Sequence, residues 1–186
     1  SIPAEELFMQ SGIQPMSINT LFQLNYLVKH EKNAIFRAEK LLMMPDLFAY
    51  FLTGECRSEF TEATTTQLID QKTRGWNIRL IEALGLPKRI FAPLIQPGEC
   101  YGMLKQELAD ELRIDPVPVY ACASHDTASA VLAVPTQEEK FAFLSCGTWT
   151  LFGTELKRPV VTEQALKMGL TNELSLIHIS EPTRRS

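Results

Sequence analysis

An α/β fold is the class this sequence predicts, and three observations predict it. Two short apolar runs, Pro118–Ala123 and Phe141–Leu144, have the length and the β-branched or aromatic content of buried strands. Between them lies Ala128 to Val134, a stretch of small residues that reads as a helix. Further upstream, several stretches space their apolar residues helically and stop at a glycine. From Val119 to Gly153 the chain therefore reads strand, polar turn, helix, then strand, glycine turn, strand. Both polar turns fall at strand ends, where α/β proteins bind their ligands.

Composition narrows the setting. A hydrophobic content of 45% with 22% charged residues gives a chain able to bury a core, and 186 residues suit one domain or slightly more. The net charge is −4, with no Lys/Arg run interleaved with aromatics, so no nucleic-acid partner is expected. Cys56, Cys100, Cys122 and Cys146 form no C-x-x-C pair and no zinc spacing, so no protein metal site is expected. No apolar run approaches the ~20 residues of a membrane span. With no signal-peptide pattern either, the expectation is a cytoplasmic, reduced protein without a membrane partner. The start, Pro3-Ala4-Glu5-Glu6-Leu7-Phe8, reads as the interior of a helix and suggests a piece of a longer protein.

Taken in order, residues 18–30 read as a helix with Leu21, Leu24 and Val28 on one face and Ser17 as N-cap. Residues 33–40 suit another short helix. Pro45 fits a first helical position, Leu47/Phe51 and Phe48/Leu52 are i, i+4 pairs, and Gly54 supplies the stop. The aromatic and Met residues of this segment are expected in the core. Thr61 to Leu68 reads as extended or irregular; its threonines could face a substrate, but a solvated edge is the favoured reading. Trp76, Leu80 and Leu84 share a helical face that stops at Gly85, with Pro87 just beyond. Pro93, Pro97 and Gly98 mark a loop, Leu104–Leu112 is ambiguous, and Pro116 and Pro118 lead into the central strand. The polar, Pro-led Pro135–Lys140 is the expected domain boundary, dividing 1–134 from 135–173.

The turn Ser124-His125-Asp126-Thr127 carries the chemistry. Asp126 lies near a helix N-terminus, which favours a negative charge, and a carboxylate on a pocket floor can take a proton from a substrate hydroxyl. His125 could orient a sugar hydroxyl beside it. In Ser145-Cys146-Gly147-Thr148, Gly147 lets the backbone approach a ligand, and the Thr148 N–H and hydroxyl could meet a phosphate oxygen. A base with a phosphate cradle suggests phosphoryl transfer. On pattern alone a plainer reading also stands: Asp126 as a helix N-cap, and the second turn as a hairpin.

The strings A-S-H-D-T-A-S-A-V and L-S-C-G-T-W-T-L-F-G resemble the FGGY family of carbohydrate kinases. Asp126 matches the family's catalytic-base motif. Ser145, Cys146, Gly147, Thr148 and Trp149 match its second phosphate turn with one change. The His125-Asp126-Thr127 triplet points to one branch rather than to glycerol or xylulose kinases. Ser11–Gln14, Asn19–Leu21, Leu42–Gly54, Thr61–Leu68 and Thr171–Glu173 agree in matching order, so the resemblance covers roughly residues 10 to 173. It implies an actin-like (ribonuclease H-like) sugar kinase fold, here the end of a first domain and the start of a second, with the hinge at 135–140. It further implies Asp126 as catalytic base, His125, Asp126 and Thr127 as sugar-binding residues, and Gly147 and Thr148 as ATP contacts. ATP, Mg²⁺ and a small sugar are the implied cofactors and partner.

The family's first phosphate motif and its adenine site have no counterpart in these residues, so the chain by itself is expected to be inactive. The final stretch, Leu174–Ser186, departs from the family and resembles a translated sequencing adapter; it is expected to lie outside the fold. Two other readings remain open. Cys146 with His125 could form a thiol nucleophile and its base. Alternatively, the chain could be a non-catalytic actin-like protein that binds nucleotide or sugar.

Overall fold

The computed structural model describes residues 2–136, 138, 140–147, 150–156, 158–173 and 176–180, with Glu173 and 176–180 described by backbone alone. In chain order its first elements are α1 (Ala4–Ser11), α2 (Thr20–His30), α3 (Lys32–Arg37), α4 (Met44–Thr53), β1 (Ser58–Glu59) and α5 (Phe60–Thr65). Next come β2 (Ile69–Asp70), β3 (Gly75–Trp76), α6 (Ile78–Ala83), β4 (Leu94–Ile95), β5 (Cys100–Met103), α7 (Gln106–Leu112) and β6 (Pro118–Tyr120). Last are α8 (Asp126–Leu132), β7 (Ala142–Cys146), β8 (Thr150–Glu155), α9 (Glu163–Lys167), β9 (Leu170–Glu173) and β10 (Leu176–Ser180). Four helices open the chain, and strands and helices are interspersed after them. Contacts divide it into two units. One comprises Ser1–Gln23, Thr64–Asn77 and His125–Ser186; the other comprises Leu24–Ala63 and Ile78–Ser124.

In the second of these units, β1 runs parallel to β4, pairing Ser58 with Leu94 and Glu59 with Ile95. β5 pairs antiparallel with β6, with an irregularity between Cys100 and Gly102. Helix α4 packs against β1, β5 and β6, and Ala49, Ile95, Tyr101 and Ala121 form the core there, with Val119 packed against it. Gly54, at φ +83°, ends the helix and donates to the Tyr50 carbonyl at 2.7 Å. At the end of α6, Leu86 N–H reaches the Ile81 carbonyl at 3.0 Å, and Gly85 takes φ +69°. Both glycine stops fall where the sequence places them.

The other unit holds a sheet in the order β7-β8-β10-β9, each neighbouring pair antiparallel. β7 and β8 form a hairpin that closes with Cys146 opposite Thr150. β10 lies in the stretch expected to be foreign, and its backbone pairs with both β8 and β9. Helix α8 packs on β7, through Val131, Phe143 and Phe141. Helix α1 packs on α9 and β2. At its end the Gly12 carbonyl accepts from both the backbone N–H of Asn172 (3.0 Å) and its Nδ2 (2.8 Å). The Gln67 side chain, fully buried, donates to the Ile13 carbonyl and accepts from Asn19.

Several local expectations are corrected. Phe60–Thr65 is helix, not an extended edge, because the Glu59 carboxylate accepts the N–H groups of Thr61 and Glu62 and so caps it. Trp76 belongs to strand β3, opposite Ile69, and α6 begins only at Ile78. The turn between β2 and β3 is fixed by Asp70 Oδ1, which accepts from the N–H of Lys72 and of Thr73. Ser17 is not the cap of α2, which starts at Thr20 behind Asn19. On α4 the buried residues are Asp46 and Ala49, whereas Met44, Phe48, Phe51 and Leu52 are exposed rather than core. The central strand is also shorter than expected: β6 covers three residues, and Tyr120 is exposed.

Candidate active site

The polar turn after β6 is held at both ends of its approach. Ala121 donates to the Glu99 carbonyl at 2.8 Å and accepts from Gly98 N–H at 2.7 Å. Ser124 then donates twice to Glu59 Oε2, from its backbone N–H (3.1 Å) and its hydroxyl (2.6 Å). His125 follows with extended backbone at the cap position, and Asp126 is the first residue of α8. The His125 carbonyl accepts the Ser129 N–H at 3.0 Å, the first helical bond. Asp126 stands at the helix start that the sequence predicts.

The side chains of the triplet meet one another. Asp126 Oδ1 accepts from the Thr127 N–H at 2.6 Å and from the Thr127 hydroxyl at 3.3 Å. His125 Nε2 stands 3.8 Å from the same oxygen, beyond direct hydrogen bonding. Thr127 is buried, the His125 side chain is 21% exposed and that of Asp126 is 95% exposed. The expected pocket-floor carboxylate is thus an exposed one in this chain. Its surroundings suit proton acceptance: one oxygen is anchored by its neighbour, and the group is open to a substrate hydroxyl.

Gly147 lies in a different part of the same unit, at the exposed end of β7 where the hairpin turns toward Thr150. Its predicted companion Thr148 lies outside the described residues, as does Trp149. Cys146, the last residue of β7, is an exposed free thiol. Among the described residues no group of three or more His, Cys, Asp or Glu side chains is placed to hold a metal ion.

A buried acidic pair in the other unit gives no signal in the sequence. Asp46 and Glu59 are both fully buried. Asp46 Oδ1 accepts from the Glu59 N–H at 2.8 Å and from the Tyr101 hydroxyl at 3.3 Å. Burial pushes the Asp46 carboxyl up to about 6, against the N–H groups of Glu59 and Met43 and the Tyr101 hydroxyl, which favour its charge; the Glu59 charge adds to the rise. Burial pushes the Tyr101 hydroxyl up as well, helped by both acids. In the sequence, Asp46 and Glu59 stand thirteen residues apart with no motif to link them. Only the fold brings them together.

Residues 1–133 match the FGGY family of carbohydrate kinases, N-terminal domain. The chain belongs to that family. Its fold is accordingly the α/β, actin-like fold of sugar kinases. It is 41% identical to the rhamnulokinase of Bacteroides thetaiotaomicron over 172 residues, covering 92% of this chain and 36% of that protein. Against the rhamnulokinase of Oceanobacillus iheyensis it is 42% identical over 172 residues, with the same coverage of 92% and 36%. Among solved structures, the gluconate kinase from Lactobacillus acidophilus superposes with a TM-score of 0.79 at 19% identity, over 94% of this chain and 36% of that one. The chain thus spans 36% of the length of the curated relatives it matches. Among the described residues no helix is long and apolar enough to cross a membrane.

Proposed function

We propose that the protein to which this chain belongs is an ATP-dependent rhamnulokinase, phosphorylating L-rhamnulose at its 1-hydroxyl in the breakdown of rhamnose. The observation that carries this reading is the exposed Asp126 at the strand-to-helix turn, braced by Thr127 and flanked by His125. The resemblance to two rhamnulokinases at 41% and 42% identity supports the choice of sugar. In the proposed step the proton of the sugar hydroxyl passes to Asp126 as its oxygen bonds to the γ-phosphorus. The bond from that phosphorus to the β–γ bridging oxygen breaks, and ADP leaves. His125 and Thr127 hold the sugar, and Gly147 and Thr148 contact the phosphates. Most of the rate then comes from positioning and from electrostatic stabilisation of the transferring group.

ATP brings Mg²⁺ in this reading, but among the described residues no group of three or more His, Cys, Asp or Glu side chains is placed to hold the ion. The proposed domain division places 1–134 in the N-terminal domain and 135–173 at the start of the C-terminal one, with 174–186 outside the family's sequence. The proposed setting is the cytoplasm. Another FGGY ketose or polyol kinase, or a non-catalytic sugar-binding relative, is the alternative, and the likeness to rhamnulokinases favours neither. The test is ADP release by the full-length protein with Mg–ATP and a panel of L-rhamnulose, xylulose, glycerol and gluconate. L-rhamnulose should give the highest kcat/KM. A higher value for any other sugar would overturn the assignment.

A further inference from the structure

Glu59 is fully buried, and five donors converge on its carboxylate. Three belong to the helix it caps: the Thr61 N–H on Oε1, and the Thr61 hydroxyl and Glu62 N–H on Oε2. Capping alone accounts for those three. The other two come from Ser124, at a separation of 65 residues along the chain, and both reach Oε2. The hydroxyl bond is 2.6 Å long, in the range of a charge-assisted contact. A carboxylate can accept on both oxygens, whereas an amide would turn an NH₂ group toward one set of these donors.

Ser124 stands two residues before Asp126. We propose that Glu59 is a positioning residue, whose buried carboxylate clamps the N–H and hydroxyl of Ser124 and thereby fixes where the chain enters the turn that carries the base. Glu59 is itself fixed by its backbone N–H on Asp46 Oδ1, at 2.8 Å. The inference rests on the reading of Asp126 as base. A shift of about 1 Å at a reacting group costs up to about 10²-fold in rate, so the placement of this entry point governs kcat rather than nucleotide affinity.

The test compares Glu59→Gln, Ser124→Ala, Ser124→Thr and Asp126→Asn in the full-length protein, following ADP release with L-rhamnulose and Mg–ATP. Ser124→Ala removes the long-range hydroxyl bond and leaves the helix cap intact, so it isolates positioning from folding. It should lower kcat about tenfold, the worth of one hydrogen bond to a charged acceptor. Ser124→Thr, which keeps the hydroxyl, should restore it. Glu59→Gln should lower kcat by about 10²-fold. In each, KM for ATP should stay at the wild-type value. If Asp126→Asn is inactive while Ser124→Ala turns over like wild type, the positioning role is wrong and the base reading stands. If Asp126→Asn remains active, the base reading itself fails. A kcat loss in Ser124→Ala that Ser124→Thr does not restore also counts against the clamp.

Discussion

Two acidic regions of this chain are built in opposite ways. Asp46 and Glu59 are fully buried and draw in donors from β1, β5, α5 and the turn at Ser124. Asp126 starts a helix with its side chain 95% exposed, and its hydrogen bonds come from Thr127 next to it. Both oxygens of Glu59 and Oδ1 of Asp46 are engaged by protein donors, whereas Asp126 keeps an open face. That contrast can be broken by experiments that ask each acid to behave like the other.

The largest effect is expected at Asp126. In the full-length protein Asp126→Asn should lower kcat by about 10²–10⁴-fold, the usual worth of a positioned base. Because the group is exposed, the same change should alter the unfolding free energy by no more than about 0.5 kcal/mol in a denaturant titration. A large loss of stability would place Asp126 with the structural acids.

Next in size is the pH dependence set by Asp46. Its carboxyl rises from 3.8 to about 6 in the fold, so the folded state holds a proton that the unfolded chain releases earlier. Stability from this group is therefore full below about pH 4 and falls as pH rises to about 6, by on the order of 3 kcal/mol. Asp46→Asn removes that decline. Unfolding free energies measured at pH 4, 5, 6 and 7 should fall less steeply in the variant than in the wild type, and parallel profiles would refute the assignment.

A smaller effect is expected from Tyr101→Phe, which keeps the ring in the core and removes the hydroxyl that donates to Asp46 at 3.3 Å. The loss should be about 1 kcal/mol at pH 7. Without that donor the Asp46 carboxyl should titrate still higher, so the decline in stability should extend further up in pH. A Phe variant as stable as wild type, with an unchanged pH profile, would show that the bond contributes nothing.

How far the sequence reveals this arrangement depends on how local the cause is. The start of α8 at Asp126 and the stops at Gly54 and Gly85 were legible because one residue type at one position decides them. The i, i+4 spacing of Trp76, Leu80 and Leu84 suggested one helix, yet Trp76 pairs with Ile69 across a turn that Asp70 organises. Thr61–Thr65 has weak helix formers, and its cap is a glutamate, a residue outside the usual capping set. On α4, apolar residues at helical spacing implied a buried face, but the core receives Ala49 and the charged Asp46 instead. The clamp between Glu59 and Ser124 spans 65 residues and leaves no short-range signal at all.

The most direct measurement is equilibrium binding of L-rhamnulose to Asp126→Asn, set beside its rate of ADP release in the full-length protein. If Asp126 takes the proton, calorimetry should find the sugar bound within about threefold of wild type, under 1 kcal/mol, while turnover is lost. Binding and turnover that fall together would mean that Asp126 holds the sugar or the fold, and the account of an exposed acid kept for proton transfer would be wrong.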